Sequence, residues 1–236
     1  MKFTIQKQPD DTTCGPTCLH AVYSWYGQKE NLDNIIGEVK TLKGGGTLAV
    51  MLGIHALKQN YSATLYSYNL RVFDPTWANL GQEALLKKLS ESSKYHKKEK
   101  LNLAINSYME FLKLGGKILF EDMSPSMIVR LLRSGKPILT GLSSTYLYRS
   151  PREYGDNCDY DDIRGIPSGH FVVLYGYEKD NKRVLLADPW SKNPISKTQY
   201  YKVGIQRLVN SILLGVLTYD GNLLIIEPAH AKPDSN

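Results

Sequence analysis

Cys14 opens the run Cys14-Gly15-Pro16-Thr17-Cys18-Leu19, whose residue types suit nucleophilic chemistry. Pro16 fits the first turn of a helix, where no amide donor is needed. A cysteine at a helix N-terminus meets unpaired backbone N–H groups and the positive end of the helix dipole, and both favour thiolate over thiol. Gly15 would let a substrate backbone approach closely. Cysteine is otherwise a small buried hydrophobe, so this thiol becomes a nucleophile only beside a base. The five histidines can be sorted for that role. His20 lies six residues beyond Cys14, about 240° around the same helix, and faces away. His55 sits among Leu52, Ala56 and Leu57 and reads as packed. His96 belongs to a lysine-rich exposed stretch, and His230 to a loose tail. His170 follows Pro167-Ser168-Gly169 and leads into Phe171-Val172-Val173-Leu174-Tyr175. Such a loop-to-strand junction holds a side chain rigidly while leaving it accessible.

A third group should orient the imidazole and stabilise its charged form. Asp188 closes the apolar run Val184-Leu185-Leu186-Ala187 and precedes Pro189-Trp190; an aspartate there is partly buried and needs a partner. It also reads as an ordinary turn aspartate before proline. The runs around His170 and Asp188 flank Glu178–Arg183 and should pair as neighbouring strands. A two-residue turn at Asp180-Asn181 would set Ser191 opposite His170 and leave Asp188 three positions short, so a bulge or a longer loop is required. Gln8, six residues before Cys14, could join the Cys14 N–H in donating to a developing oxyanion.

The runs Gln8-Pro9-Asp10-Asp11-Thr12-Thr13-Cys14-Gly15-Pro16-Thr17-Cys18-Leu19, Gly169-His170-Phe171-Val172-Val173-Leu174-Tyr175-Gly176-Tyr177 and Ala187-Asp188-Pro189 resemble the bacteriocin-processing peptidases of family C39, within the papain-like superfamily. The order glutamine, cysteine-glycine-proline, glycine-histidine-strand, aspartate-proline matches at all four places, and the Gly44–Thr47 loop before a helix is similar too. The resemblance implies Cys14 as nucleophile, His170 as general base and acid, Asp188 as orienter and Gln8 as oxyanion donor. It covers mainly residues 3–60 and 117–190; the well-known members are short domains fused to export transporters, and about residues 69–135 find no counterpart in the minimal domain. Gly15, Gly169 and Tyr148 are candidate substrate-binding positions, Tyr148 being one of four tyrosines (with Tyr146, Tyr154 and Tyr160) near the segment Thr145–Pro167 that could wall a cleft.

These residues must be positioned by surrounding elements. An extended lead or strand over Phe3–Gln8 precedes a helix from Cys14 to Gly27, carrying Leu19, Val22, Tyr23 and Tyr26. Leu32–Val39 reads as a short helix, and Thr47 as the cap of a third through Leu57. Tyr61–Tyr68 is a weak strand, then helical spacing resumes over Gln82–Ser93, Glu99–Leu114 and Ser124–Gly135. Strands follow at Pro137–Leu142, Phe171–Tyr177, Val184–Ala187 and Gln199–Val203, with a hairpin Val216–Tyr219/Leu223–Ile226 across Asp220-Gly221. Helices first and strands later predict an α+β fold, a helical N-terminal half on a mainly antiparallel sheet. Residues 1–228 are expected to form one domain with a helical elaboration at about 69–116, and 229–236 a tail.

The chain has 236 residues, 42% hydrophobic and 22% charged, an ordinary globular composition that excludes a wholly disordered chain. No apolar run reaches the ~18 residues of a membrane span, and the N-terminus has no secretory pattern. Cys14, Cys18 and Cys158 make no disulfide framework, so a reducing cytoplasm is the expected compartment. Cys14 and Cys18 lack the second ligand pair of a zinc site, so neither a metal nor another cofactor is expected. The net charge of +6 favours acidic partners, but Lys87, Lys88, Lys94, Lys97, Lys98 and Lys100 mix with Glu91 and Glu99 as on a solvated helix face, which argues against nucleic acid. The expected function is a cysteine peptidase or amide hydrolase acting on a peptide or protein, with acidic substrates favoured. An acyltransferase or a catalytically silent peptide-binding protein on the same scaffold is the alternative.

Overall fold

A computed structural model describes residues 2–155, 157–219 and 221–229. The chain begins with an extended lead that joins no sheet, although the Ile5 N–H donates to the Tyr200 hydroxyl at 3.0 Å. Helix α1 spans Cys14–Trp25 and α2 Leu32–Glu38, the latter capped by Asn31, whose side chain accepts from the Asp33 N–H. Helix α3 runs over Ala49–Lys58 with Leu48 at its cap. Thr47, the expected cap, instead donates its hydroxyl to the Lys40 carbonyl at 2.9 Å and so ties down the glycine loop. Strand β1 (Tyr61–Ser67), a 3-10 turn at Pro75–Trp77, α4 (Gln82–Ser93), α5 (Glu99–Lys113), β2 (Lys117–Leu119) and α6 (Pro125–Arg133) follow. Ser124 caps α6 through the Met127 N–H, with Pro125 just inside, the arrangement expected of a helix start.

The remaining elements are β3 (Ile138–Ser143), α7 (Ser144–Tyr148), a two-stranded ribbon of β4 (Glu153–Tyr154) and β5 (Asp159–Tyr160), β6 (Gly169–Glu178), β7 (Arg183–Ala187), β8 (Tyr200–Gly204), α8 (Ile205–Leu214), a 3-10 turn at Gly215–Thr218 and β9 (Asn222–Pro228). The main sheet has seven strands in the order β2-β1-β9-β3-β6-β7-β8. Every pair is antiparallel except β1 with β2. The architecture is α+β, but helices cover both faces. Leu19, Leu52, Ile105 and Phe111 from the N-terminal helices pack with Phe171 and Val173 on one side. Ile128 of α6 and Leu208 and Ile212 of α8 pack with Val172 and Leu174 on the other. The alternation of burial along β6 (Phe171 and Val173 one way, Val172 and Leu174 the other) is what a strand buried on both faces needs. No described helix is long and apolar enough to cross a membrane.

The expected hairpin is corrected. Val216 and Leu217 belong to the 3-10 turn that prolongs α8, so only β9 of the two proposed strands exists. Leu208, Val209 and Ile212 recur at helical spacing and are buried, and that period outweighs the turn signal. Gly221 does sit at a left-handed φ of 76°, where an added Cβ would meet Val216; Asp220 and the tail from residue 230 lie outside the described residues. The α4–α5 pair inside the proposed elaboration adds Leu85, Leu89, Ile105 and Phe111 to the first core and leads into edge strand β2.

Candidate active site

The pairing of β6 with β7 settles where Asp188 can point. Near the turn, Glu178 faces Arg183, Tyr177 faces Val184 and Gly176 faces Leu185. A bulge between Leu174 and Gly176 then shifts the register by one, so that Leu174 faces Leu186 and Val173 faces Ala187. Continued by one residue, this register sets Asp188 beside Val172, on the same face as His170 and diagonal to it. Without the bulge Asp188 would oppose Val173 and turn to the other face, since a one-residue slip inverts the side-chain set. The contact follows: His170 Nε2 lies 2.8 Å from Asp188 Oδ1.

Asp188 is fully buried, and every partner of its carboxylate donates to it. Oδ1 also accepts the Trp190 N–H at 2.8 Å. Oδ2 accepts the Tyr148 hydroxyl at 2.7 Å and the Tyr201 hydroxyl at 2.6 Å. Burial would raise the Asp188 pKa, but the His170 charge and hydrogen bond, with the Tyr201 and Tyr148 hydroxyls, hold it below the ordinary 3.8. Burial would likewise lower the His170 pKa; the Asp188 charge and hydrogen bond, joined by contact with Cys14, lift it instead from 6.5 to about 10. Nε2 is held by Asp188, so Nδ1 is the ring nitrogen left for other partners.

These shifts make stability depend on pH. The folded chain holds the His170 proton between pH 6.5 and about 10, where the unfolded chain releases it, so this contribution is full below 6.5 and is lost as pH rises to 10. Asp188 acts oppositely: its contribution is present above pH 3.8 and is lost as pH falls through its lowered folded value. Urea unfolding between pH 6 and 10 is expected to fall more steeply for the wild-type protein than for His170→Gln, and parallel curves would contradict the assignment.

Cys14 is the first residue of α1 and 9% exposed. The turn before it is braced. Asp10 Oδ1 accepts from the Thr12 N–H and hydroxyl at 2.8 and 2.7 Å, and Thr13 Oγ1 donates to the Asp10 carbonyl at 3.0 Å. The same turn fixes Gln8, whose N–H donates to the Pro189 carbonyl at 3.0 Å and whose Nε2 donates to the Asp10 carbonyl at 2.8 Å. Gln8 is thereby tied both to the residue after Asp188 and to the turn before Cys14. Its Oε1 is buried with no partner among the described residues. One α1 turn on, the buried Cys18 Sγ donates to the Phe171 carbonyl at 3.3 Å, anchoring α1 to β6 beside His170. Burial, then the Cys14 and Asp188 charges, push the Cys18 thiol well up.

Gly15 is closely packed: a Cβ there would meet Thr47 Cγ2 at 2.6 Å, with Leu52 and Phe171 at 3.3 Å, so the missing side chain lets α1 pack against the Thr47 loop. Gly169 and Tyr148 do line a cavity of about 310 Å³, together with Gln8, Ser144, His170 and Trp190. Asp11, Glu153 and Tyr160 line it as well, so the Thr145–Pro167 segment forms part of its wall. Most of α7 and the short β4–β5 ribbon lie within that segment. Tyr148 holds two positions at once, its ring in the cavity wall and its hydroxyl on Asp188. Tyr201 and the Trp190 N–H were missed from sequence. The aspartate-proline-tryptophan turn could have revealed Trp190, since aspartate commonly bonds the N–H two residues on; nothing local marks Tyr201.

His20 and His55 are engaged elsewhere. His20 Nε2 lies 3.1 Å from the Glu30 carbonyl. His55 bridges the Tyr23 hydroxyl (2.9 Å) and Glu38 (3.0 Å) within the helical layer.

No match is found among curated proteins. Similar solved structures include a C39-like peptidase from Bacillus anthracis, 12% identical over 98% of this chain and 96% of that one, with a TM-score of 0.49. The peptidase domain of Streptococcus ComA, a bi-functional ABC transporter, is 14% identical over 96% and 99%, with a TM-score of 0.45. A double-glycine-motif protease from an AMS/PCAT transporter, in complex with its leader peptide, is 15% identical over 96% and 92%, with a TM-score of 0.45. The Peptidase_C39 like family model matches residues 1–210, and the chain belongs to that family.

Proposed function

We propose that the protein is a cysteine peptidase in which Cys14, His170, Asp188 and Gln8 do the chemistry on a peptide or protein substrate. The observation that carries this reading is the buried His170 Nε2–Asp188 Oδ1 bond of 2.8 Å, on an imidazole that also interacts with Cys14. An imidazolium held by a carboxylate is the partner a thiolate needs.

The Cys14 thiolate attacks the scissile carbonyl carbon, and the C=O electron pair moves onto oxygen. Gln8 Nε2, which spends one hydrogen on Asp10, offers the other to that oxyanion, and the Cys14 N–H at the α1 terminus offers a second bond. Collapse breaks the C–N bond, and the amine leaves with the proton from His170 Nδ1. Water then gives a proton to His170 and adds to the thioester, and the thiolate departs. Asp188 keeps the ring aimed and its charge compensated throughout, while Tyr148, Tyr201 and the Trp190 N–H keep Asp188 fixed.

The test is digestion of a mixed peptide pool in ¹⁸O-water, read by mass spectrometry. The wild-type protein should yield fragments with ¹⁸O in the new carboxylate. A pool left intact, or products equally abundant with Cys14→Ala, would reject the proposal. On a peptide so identified, Gln8→Ala should lower kcat by about 100–1,000-fold, with KM little changed. An unchanged kcat would remove Gln8 from the machinery.

A further inference from the structure

A second cavity, of about 710 Å³, opens on the other side of α7, between α7 and α8. Three arginines reach it: Arg149, Arg152 and Arg207. Arg152 is engaged, donating to the Asp162 and Ile163 carbonyls at 2.6 and 3.2 Å. Neither Arg149 nor Arg207 forms an ion pair with any carboxylate among the described residues. Arg207 Nε is buried with no acceptor among the described residues, and burial together with the neighbouring Arg149 charge lowers its pKa. Arg149 also holds a left-handed φ of 56° at the end of α7, a conformation that disfavours an arginine over a glycine. Crowded like charges and an orphaned buried donor both oppose stability, and a bound carboxylate answers both, since a guanidinium grips it through two parallel bonds.

The wall of this cavity is shared with the catalytic one. Thr145 and Pro167 face the arginines, while their neighbours Ser144 and Ser168 face His170. A peptide lying in the catalytic cavity can therefore continue over the α7 rim. Asp11 and Glu153 line the catalytic cavity and repel an acidic side chain there, whereas the arginines attract one, and Leu214 and Leu217 give apolar support. We propose that the arginine cavity is a substrate subsite for a glutamate or aspartate side chain lying outside the residues that flank the scissile bond. This rests on the peptidase reading of Cys14.

Binding can be measured without catalysis, which separates the two ideas. The full chain carrying Cys14→Ala is titrated calorimetrically with acetyl-Leu-Glu-Leu-Glu-amide, its glutamine counterpart, inorganic phosphate and dodecanoate at low salt. The glutamate peptide should bind about tenfold or more tightly than the glutamine peptide, and Arg149→Gln/Arg207→Gln should erase the difference. The exposed single change Arg149→Gln, checked by its unfolding midpoint, serves if the double variant does not fold. Equal affinities for the two peptides, or tighter binding of phosphate or dodecanoate than of the glutamate peptide, would overturn the subsite. Discrimination retained in an enzyme that cleaves nothing would leave the arginine cavity as an acidic-peptide site and remove its role as a substrate subsite.

Discussion

Cys14→Ser is expected to lower peptide cleavage by about 10⁵-fold or more, with the unfolding midpoint almost unchanged. A hydroxyl is somewhat smaller than a thiol, so the packing of α1 survives, but it is a far weaker acid and a poorer nucleophile. His170→Ala should cost nearly as much, and the double variant little more, because nucleophile and base act as one unit and their losses do not add. Measurement of kcat/KM for the wild type, both single variants and the double variant tests this. Additive losses, or a Cys14→Ser enzyme within tenfold of wild type, would contradict the account.

The second large effect is expected at Asp188. Alanine there leaves the Tyr148 and Tyr201 hydroxyls, the Trp190 N–H and the His170 ring without their acceptor. Breaking a buried charged network by removing one partner typically costs about 3–5 kcal/mol, and the ring loses its aim as well. Asp188→Ala is therefore expected to show both a lower unfolding free energy and near-complete loss of activity. The substitution Asp188→Asn separates the two effects: an amide oxygen can still accept from His170 and Trp190, and the two tyrosine hydroxyls can turn to accept from the amide nitrogen. The Asp188→Asn protein should recover most of the stability while His170, without the neighbouring charge, titrates well below about 10. NMR titration of the His170 ring with urea unfolding measures both; an unmoved histidine titration would show that the carboxylate charge does not set it.

The site was legible in sequence wherever local chemistry marked it. Cys14 before Pro16, His170 at the mouth of an apolar strand and Asp188 at the end of another are short-range patterns, and His170 Nε2 lies 2.8 Å from Asp188 Oδ1. The conflict in strand register was legible too, and the bulge at Leu174/Gly176 is its physical resolution. What failed were features fixed by distant partners. Nothing near Gly15 in the chain announces that Thr47 packs over it. The Asp220-Gly221 turn signal suggested a hairpin because the burial of α8 against β3 and β8, which decides for the helix, depends on the whole sheet. Tyr201 reaches Asp188 from the neighbouring strand, which no local pattern records.

The most direct test of the central claim is the alkylation rate of Cys14 by iodoacetamide at pH 6, measured in a Cys158→Ser background so that the exposed third cysteine does not interfere. Fast modification at Cys14, none at the buried Cys18, and a slowing of about tenfold or more on His170→Ala is the predicted result, since a neighbouring imidazolium makes a cysteine more reactive. Equal, slow rates with and without the His170 ring would contradict it.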